Sequence, residues 1–148
     1  YIYSRLFTEG GDDVIKIPTG TNLSPYYEKE TEAPSVYMNG QETFKFAVST
    51  IADDIKYLAE KAGVSFDDIK YIVPHQANVR IIQYASKRLK IPMDKFFVNI
   101  EHYGNTSAAS IPIALDELNR KNVLKEGDLI ILTAFGGGLS SASCIIKW

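Results

Sequence analysis

Tyr71-Ile72-Val73-Pro74-His75-Gln76-Ala77-Asn78 decides how this chain is read. Three apolar residues make a short buried strand, Pro74 ends it, and His75 leaves it just before a helix opens at Asn78. Strand exits of this kind are where α/β sheets collect their ligands. Upstream, Gly40 to Ala62 repeats Phe44, Val48, Ile51, Ile55 and Leu58 at three- and four-residue steps. That is the stripe of an amphipathic helix, and Gly63 supplies its stop. Ser65-Phe66-Asp67-Asp68 reads as a short capped turn between helix and strand. Downstream, Asn78 to Lys90 forms a second helix with Ile82, Ala85 and Leu89 inward and Pro92 closing it. Phe96 to Ile100 reads as a strand and Thr106 to Arg120 as a third helix, with Asn122 just beyond it. Leu129 to Phe135 and Ser143 to Trp148 are the closing strands, joined by Gly136-Gly137-Gly138-Leu139-Ser140-Ser141.

At the start of the chain, Tyr1 to Phe7 alternates apolar and polar residues, breaks at Gly10-Gly11-Asp12-Asp13, and resumes as Val14-Ile15-Lys16-Ile17. This predicts a β-hairpin with a Gly-rich turn. Pro18 to Pro34 has no period and reads as an ordered loop over the surface. Strands alternating with helices give an α/β fold, a mixed five-stranded sheet covered by helices. The closing antiparallel pair keeps the sheet from being purely parallel.

Composition narrows the class. The 148 residues suit one domain, or half of a larger enzyme, with 45% hydrophobic and 23% charged residues. A net charge of −2 gives no whole-chain argument for nucleic acid. Cys144 has no partner for an intrachain disulfide, which fits a reducing compartment, and no apolar run approaches the roughly 18 residues of a membrane span. A cytoplasmic location is the expectation. The chain opens on Tyr1-Ile2-Tyr3 inside a strand pattern and without methionine, so it reads as a piece of something longer.

Four features carry chemistry. The imidazole of His75 can donate one N–H to an anionic oxygen while its other nitrogen is held by a neighbour; a satisfied loop histidine is the bland alternative. Gly104 permits a backbone conformation closed to other residues, Thr106 and Ser107 can cap the next helix, and Asn105 would then sit at that helix's positive end with an amide to donate. Taken alone, Asn105 reads first as a turn or cap residue. Phe135-Gly136-Gly137-Gly138 offers unshielded backbone N–H groups, or merely a flexible hairpin turn. Arg80, Lys87 and Arg88 share one side of the second helix with Tyr84 between them, and Lys45 lies near the start of the first helix. This basic face suits an acidic partner or a phosphate, or is simply solvated. Cys144, among Ala142, Ile145 and Ile146, is expected in a strand rather than as a nucleophile. His75 and His102 with one cysteine make no metal set.

Taken together, Met38-Asn39-Gly40-Gln41-Glu42-Thr43-Phe44-Lys45-Phe46-Ala47-Val48, Pro74-His75-Gln76-Ala77-Asn78-Val79-Arg80-Ile81-Ile82, Tyr103-Gly104-Asn105-Thr106-Ser107-Ala108-Ala109-Ser110 and Ala134-Phe135-Gly136-Gly137-Gly138-Leu139 resemble β-ketoacyl-acyl-carrier-protein synthase III. The resemblance covers the whole chain and is to the family's C-terminal half, residues 1–148 forming that domain without the half that bears the nucleophile. It implies a thiolase-like half-fold and a Cys-His-Asn triad to which this chain contributes His75 and Asn105. It implies an acyltransferase that loads an acyl group from acyl-CoA and condenses it with malonyl-acyl-carrier protein, initiating fatty acid synthesis. Gly137 would donate to the acyl-enzyme oxyanion beside Phe135. Ala77 and Asn78 would line the pantetheine channel, and Lys45, Arg80, Lys87 and Arg88 would dock carrier protein. No cofactor is implied beyond CoA and phosphopantetheine thioesters as substrates. Expected partners are acyl carrier protein, acyl-CoA, the N-terminal half and a second copy of the chain, with neither nucleic acid nor membrane. Where many relatives carry Thr-Trp-Gly after the glycines, this chain has Ser140-Ser141-Ala142, which leaves acyl specificity open. A starter synthase of a secondary-metabolite pathway, or a non-catalytic module that binds carrier protein or CoA, are the competing readings.

Overall fold

The structure, a computed structural model, describes residues 1–17 and 35–148. The loop expected over Pro18 to Pro34 lies outside the described residues. The elements are β1 (Tyr3–Thr8), β2 (Ile15–Lys16), β3 (Tyr37–Met38), α1 (Gly40–Ala62), β4 (Ile69–Pro74), α2 (Val79–Leu89), α3 (Ile100–Tyr103), α4 (Ser110–Arg120), β5 (Leu129–Gly136) and β6 (Ser140–Lys147).

The main sheet has four strands in the order β1-β6-β5-β4. β4 and β5 are parallel, while β5 with β6 and β6 with β1 are antiparallel. The sheet is mixed, as the sequence indicates, but it lacks the fifth strand. Phe96 makes a single bridge to Ile72, preceded by a 3₁₀ turn at Met93–Lys95. The reason is Gln76, which is only 1% exposed. Its amide Nε2 donates to Phe97 O at 3.1 Å and its Oε1 accepts from Asn99 N at 3.1 Å. One side chain thus occupies the backbone groups that a strand neighbour would otherwise bind.

The expected hairpin at the start of the chain does not form. β1 pairs with β6 in a six-residue register, Tyr3 opposite Ile145 to Thr8 opposite Ser140. Ile15–Lys16 pairs with Tyr37–Met38 as a separate two-stranded sheet. The Gly-rich turn closes on itself, Val14 N donating to Gly11 O at 3.0 Å. A long ladder against β6 satisfies more of β1 than two residues of β2 would.

Helix ends follow local chemistry. Asn39 Oδ1 accepts from Glu42 N at 3.2 Å to start α1, and Gly63 ends it at φ 68°. α2 ends at Leu89, three residues before the proline expected to close it, with Lys90 at φ 57° as its cap. Asp68 Oδ2 accepts from both the backbone N and the hydroxyl of Ser65, and these bonds hold its carboxyl below the usual range.

The core is two clusters, one on each face of the sheet. Ile51, Ile55 and Leu58 of α1 meet Ile82 of α2, Ile72 of β4, Ile131 of β5 and Ile145 of β6. On the opposite face Ala114 and Leu118 of α4 cover Val73 and Ile130. Adjacent residues Ile72 and Val73 serve opposite faces, which is why β4 is apolar without a break from Tyr71 to Pro74. Among the described residues no helix is long and apolar enough to cross a membrane.

Candidate active site

The site forms where β4 stops. Pro74 closes the strand, and His75 N donates to Thr133 O of β5 at 2.8 Å, which fixes the imidazole's attachment point. The ring is half-buried, meets Phe135 edge-on with centroids 5.6 Å apart, and places Nδ1 2.7 Å from Ser110 Oγ. Burial holds the His75 pKa below the ordinary histidine value, so the ring is neutral at neutral pH. Gln76 Nε2 also donates to Pro74 O at 2.8 Å, so the turn that carries His75 is pinned from both sides.

Asn105 comes from the segment before α4. Gly104 has φ 69° and ψ −162°, a region essentially restricted to glycine. Asn105 is not at the end of α4: a 3₁₀ turn, Ser107–Ala109, intervenes, and α4 starts at Ser110. The helix therefore does not place its positive end on Asn105 as expected. Thr106 and Ser107 provide no side-chain cap. Asn105 itself caps the turn, its Oδ1 accepting from Ser107 N at 3.0 Å. A backbone N–H must meet the oxygen end of the carboxamide, so this bond leaves the NH₂ end to be presented.

His75 and Asn105 open into the same cavity of about 560 Å³. Phe135, Ala77 and Asn78 also line it, with Phe44, Ile81 and Ile111 giving it a largely apolar wall. Asn78 is also the N-cap of α2, its Oδ1 accepting from Arg80 N at 2.9 Å. Gly137 is not in the cavity wall; Gly136 is. Gly137 packs instead against Ile15, where a Cβ would lie 3.3 Å from the carbonyl oxygen. Cys144 lies in β6, paired with Ser4 and Leu132 and outside the cavity wall, and burial raises its thiol pKa. Neither property suits a nucleophile.

The basic residues form an exposed surface outside the cavity. Lys45 Nζ pairs with Glu42 at 2.8 Å and Arg88 with Asp53 at 2.9 Å. Lys87 stands over the Tyr84 ring at 5.8 Å. Arg80 has no ion-pair partner among the described residues. Sequence reasoning assigned no part to Ser110 or Gln76. Both lie inside motifs that were legible, but their roles depend on contacts with residues more than twenty positions away.

Comparison with known proteins shows the family. Residues 59–148 match the family described as 3-oxoacyl-[acyl-carrier-protein (ACP)] synthase III C terminal. The chain is 47% identical over 139 residues to the β-ketoacyl-[acyl-carrier-protein] synthase III of Clostridium acetobutylicum, covering 93% of this chain and 43% of that protein. To the Clostridium novyi enzyme of the same name it is 53% identical over 126 residues, covering 84% of this chain and 39% of the relative. The crystal structure of the Thermus thermophilus synthase III superposes with a TM-score of 0.88 at 38% identity, covering 99% of this chain and 46% of that one. The priming β-ketosynthase of the R1128 polyketide pathway superposes at 0.85 with 31% identity, covering 97% and 43%. The chain spans less than half the length of the relatives it matches. It belongs to the β-ketoacyl-acyl-carrier-protein synthase III family, whose C-terminal domain it matches.

Proposed function

We propose that this chain is the half of a condensing enzyme that generates the carbon nucleophile. The observation that carries the reading is that His75 and Asn105, thirty residues apart, line one largely apolar cavity, with the Asn105 amide oxygen already engaged by Ser107 N. A malonyl thioester held there breaks its bond between carboxylate and Cα, releasing CO₂. The electron pair passes into the thioester, and negative charge develops on its carbonyl oxygen. Two preorganised donors at that oxygen stabilise the enolate, each by a few kcal/mol, on the order of 10²–10³ in rate. The Cα then attacks the acyl carbon of an acyl-cysteine from the N-terminal half, and the cysteine leaves as thiolate. A neutral imidazole suits this better than a base, since no proton has to be removed from the malonyl group.

Acyl-CoA is the proposed acyl donor and malonyl-acyl-carrier protein the extender, with fatty acid initiation as the pathway. No resident cofactor is required. Ala77 and Asn78 would border the pantetheine arm at the cavity mouth. The exposed Lys45, Arg80, Lys87 and Arg88 would meet the acidic carrier, Arg80 with no ion pair among the described residues. Gly136, which borders the cavity, is a better candidate than Gly137 for the backbone donor beside Phe135.

The test uses malonyl-carrier protein and acetyl-CoA. The chain alone forms no β-ketoacyl product; combined with a nucleophile-bearing half it releases CO₂, and His75→Ala or Asn105→Ala slows that release about 10²- to 10³-fold. Turnover by the chain alone, or full CO₂ release by both variants, contradicts the proposal. Tight binding of carrier protein with no decarboxylation in any combination would favour a non-catalytic binding module.

A further inference from the structure

We propose that Ser110 is a positioning residue that fixes His75 as the tautomer with its proton on Nε2. Ser110 is the first residue of α4 and is 2% exposed. Its Oγ stands 2.7 Å from His75 Nδ1 and accepts from Gln76 N at 3.3 Å. A hydroxyl has two lone pairs and one proton. A helical serine commonly turns that proton back to a carbonyl three or four residues earlier, as Ser49 does in α1 with Lys45 O at 2.9 Å and Phe46 O at 3.0 Å. Ser110 makes no such bond among the described residues. The remaining acceptor for its buried proton is Nδ1.

The opposite arrangement has Nδ1–H donating to Oγ. It leaves the Ser110 proton buried without an acceptor, which carries the full desolvation cost of that group. The network therefore selects Nδ1 as acceptor and Nε2 as the protonated nitrogen. Nε2 has no protein partner among the described residues. The consequence for catalysis rests on the function proposed above: Nε2–H is a donor toward the enolate oxygen, whereas a bare Nε2 would present a lone pair to negative charge. The tautomer itself does not depend on that function.

The experiment is a long-range ¹H–¹⁵N correlation spectrum of the chain with ¹⁵N-labelled histidine, at a pH where His75 is neutral, with a His102→Gln variant to assign the two rings. The native chain should show His75 protonated on Nε2. In Ser110→Ala the ratio of Nε2–H to Nδ1–H should fall about fivefold, the bias of one ordinary neutral hydrogen bond, and Ser110→Thr should restore it. A native chain with the proton on Nδ1 would overturn the proposal without any variant. So would an unchanged ratio in a Ser110→Ala protein whose amide spectrum is otherwise native. In the two-half enzyme Ser110→Ala should lower kcat for CO₂ release with KM held, and Ser110→Thr should recover it. If His75→Ala left CO₂ release intact, the function would fail while the tautomer result stood.

Discussion

At the scale of single residues, the site depends on two groups whose side chains each have one end tied and one end presented. Asn105 gives its oxygen to Ser107 N and keeps its NH₂. Asn105→Asp therefore preserves the turn, since a carboxylate still accepts from that N–H, while it replaces the donor with negative charge. Circular dichroism should remain native and CO₂ release in the two-half enzyme should fall at least 10²-fold; unchanged release would remove Asn105 from the mechanism. For His75 the folded pKa is lowered by burial. The unfolded chain then binds the proton more readily, so the group's contribution to stability is complete above about pH 6.5, the unfolded value, and is lost as pH falls through the lower folded value. Denaturant titrations across that window should show His75→Gln flattening the loss of stability. An equal slope in both proteins would show that His75 does not titrate differently on folding.

The elements show which signals in the sequence were sufficient. α1 starts and ends where its periodicity and Gly63 place it, because all of that information is local. The hairpin failed because the partner of β1 is β6, more than 130 residues away, and a Gly-rich turn signals a hairpin whether or not the strands beside it pair. The strand expected at Phe96 failed because a buried side chain, Gln76, replaces the strand's hydrogen-bonding neighbour. Gln76→Ala should accordingly destabilise the domain by about 2 kcal/mol, the cost of leaving buried backbone groups unpaired. A loss below a few tenths in a urea titration would show that water takes over. The glycine turn is equally specific: a Cβ at Gly138 would lie 2.2 Å from Ser140 Oγ and 2.9 Å from Ser140 N. Gly138 also has φ 145°. Gly138→Ala therefore cannot keep this turn, whereas Gly136, with open space at its Cβ position, tolerates alanine.

Across the whole molecule, the described residues close one face of the sheet and leave part of the other without a helix over it. α1 and α2 pack on the first, whereas on the second α4 packs over Val73 of β4 and Ile130 of β5, with Ile146 of β6 at the cluster's edge. The same face continues over Ala142 of β6 to Leu6 of β1, which is 82% exposed. Apolar surface of this extent seeks a cover. The chain alone should self-associate at tens of micromolar concentration, and Leu6→Lys should weaken the association; sedimentation equilibrium giving a monomer for the native chain would contradict this. The α/β class, His75, Asn105 and the cavity-lining Phe135, Ala77 and Asn78 were legible because short motifs carry them. Ser110, Gln76 and the absence of Gly137 from the wall were not, since each depends on how distant segments meet.

The central claim is that His75 and Asn105 serve one oxygen atom. A crystal structure of the chain paired with its nucleophile-bearing half, holding a non-hydrolysable malonyl-phosphopantetheine analogue, tests it most directly. The account predicts the thioester oxygen about 3 Å from both His75 Nε2 and Asn105 Nδ2. A thioester oxygen that touches only one of them, or points away from both, would contradict it.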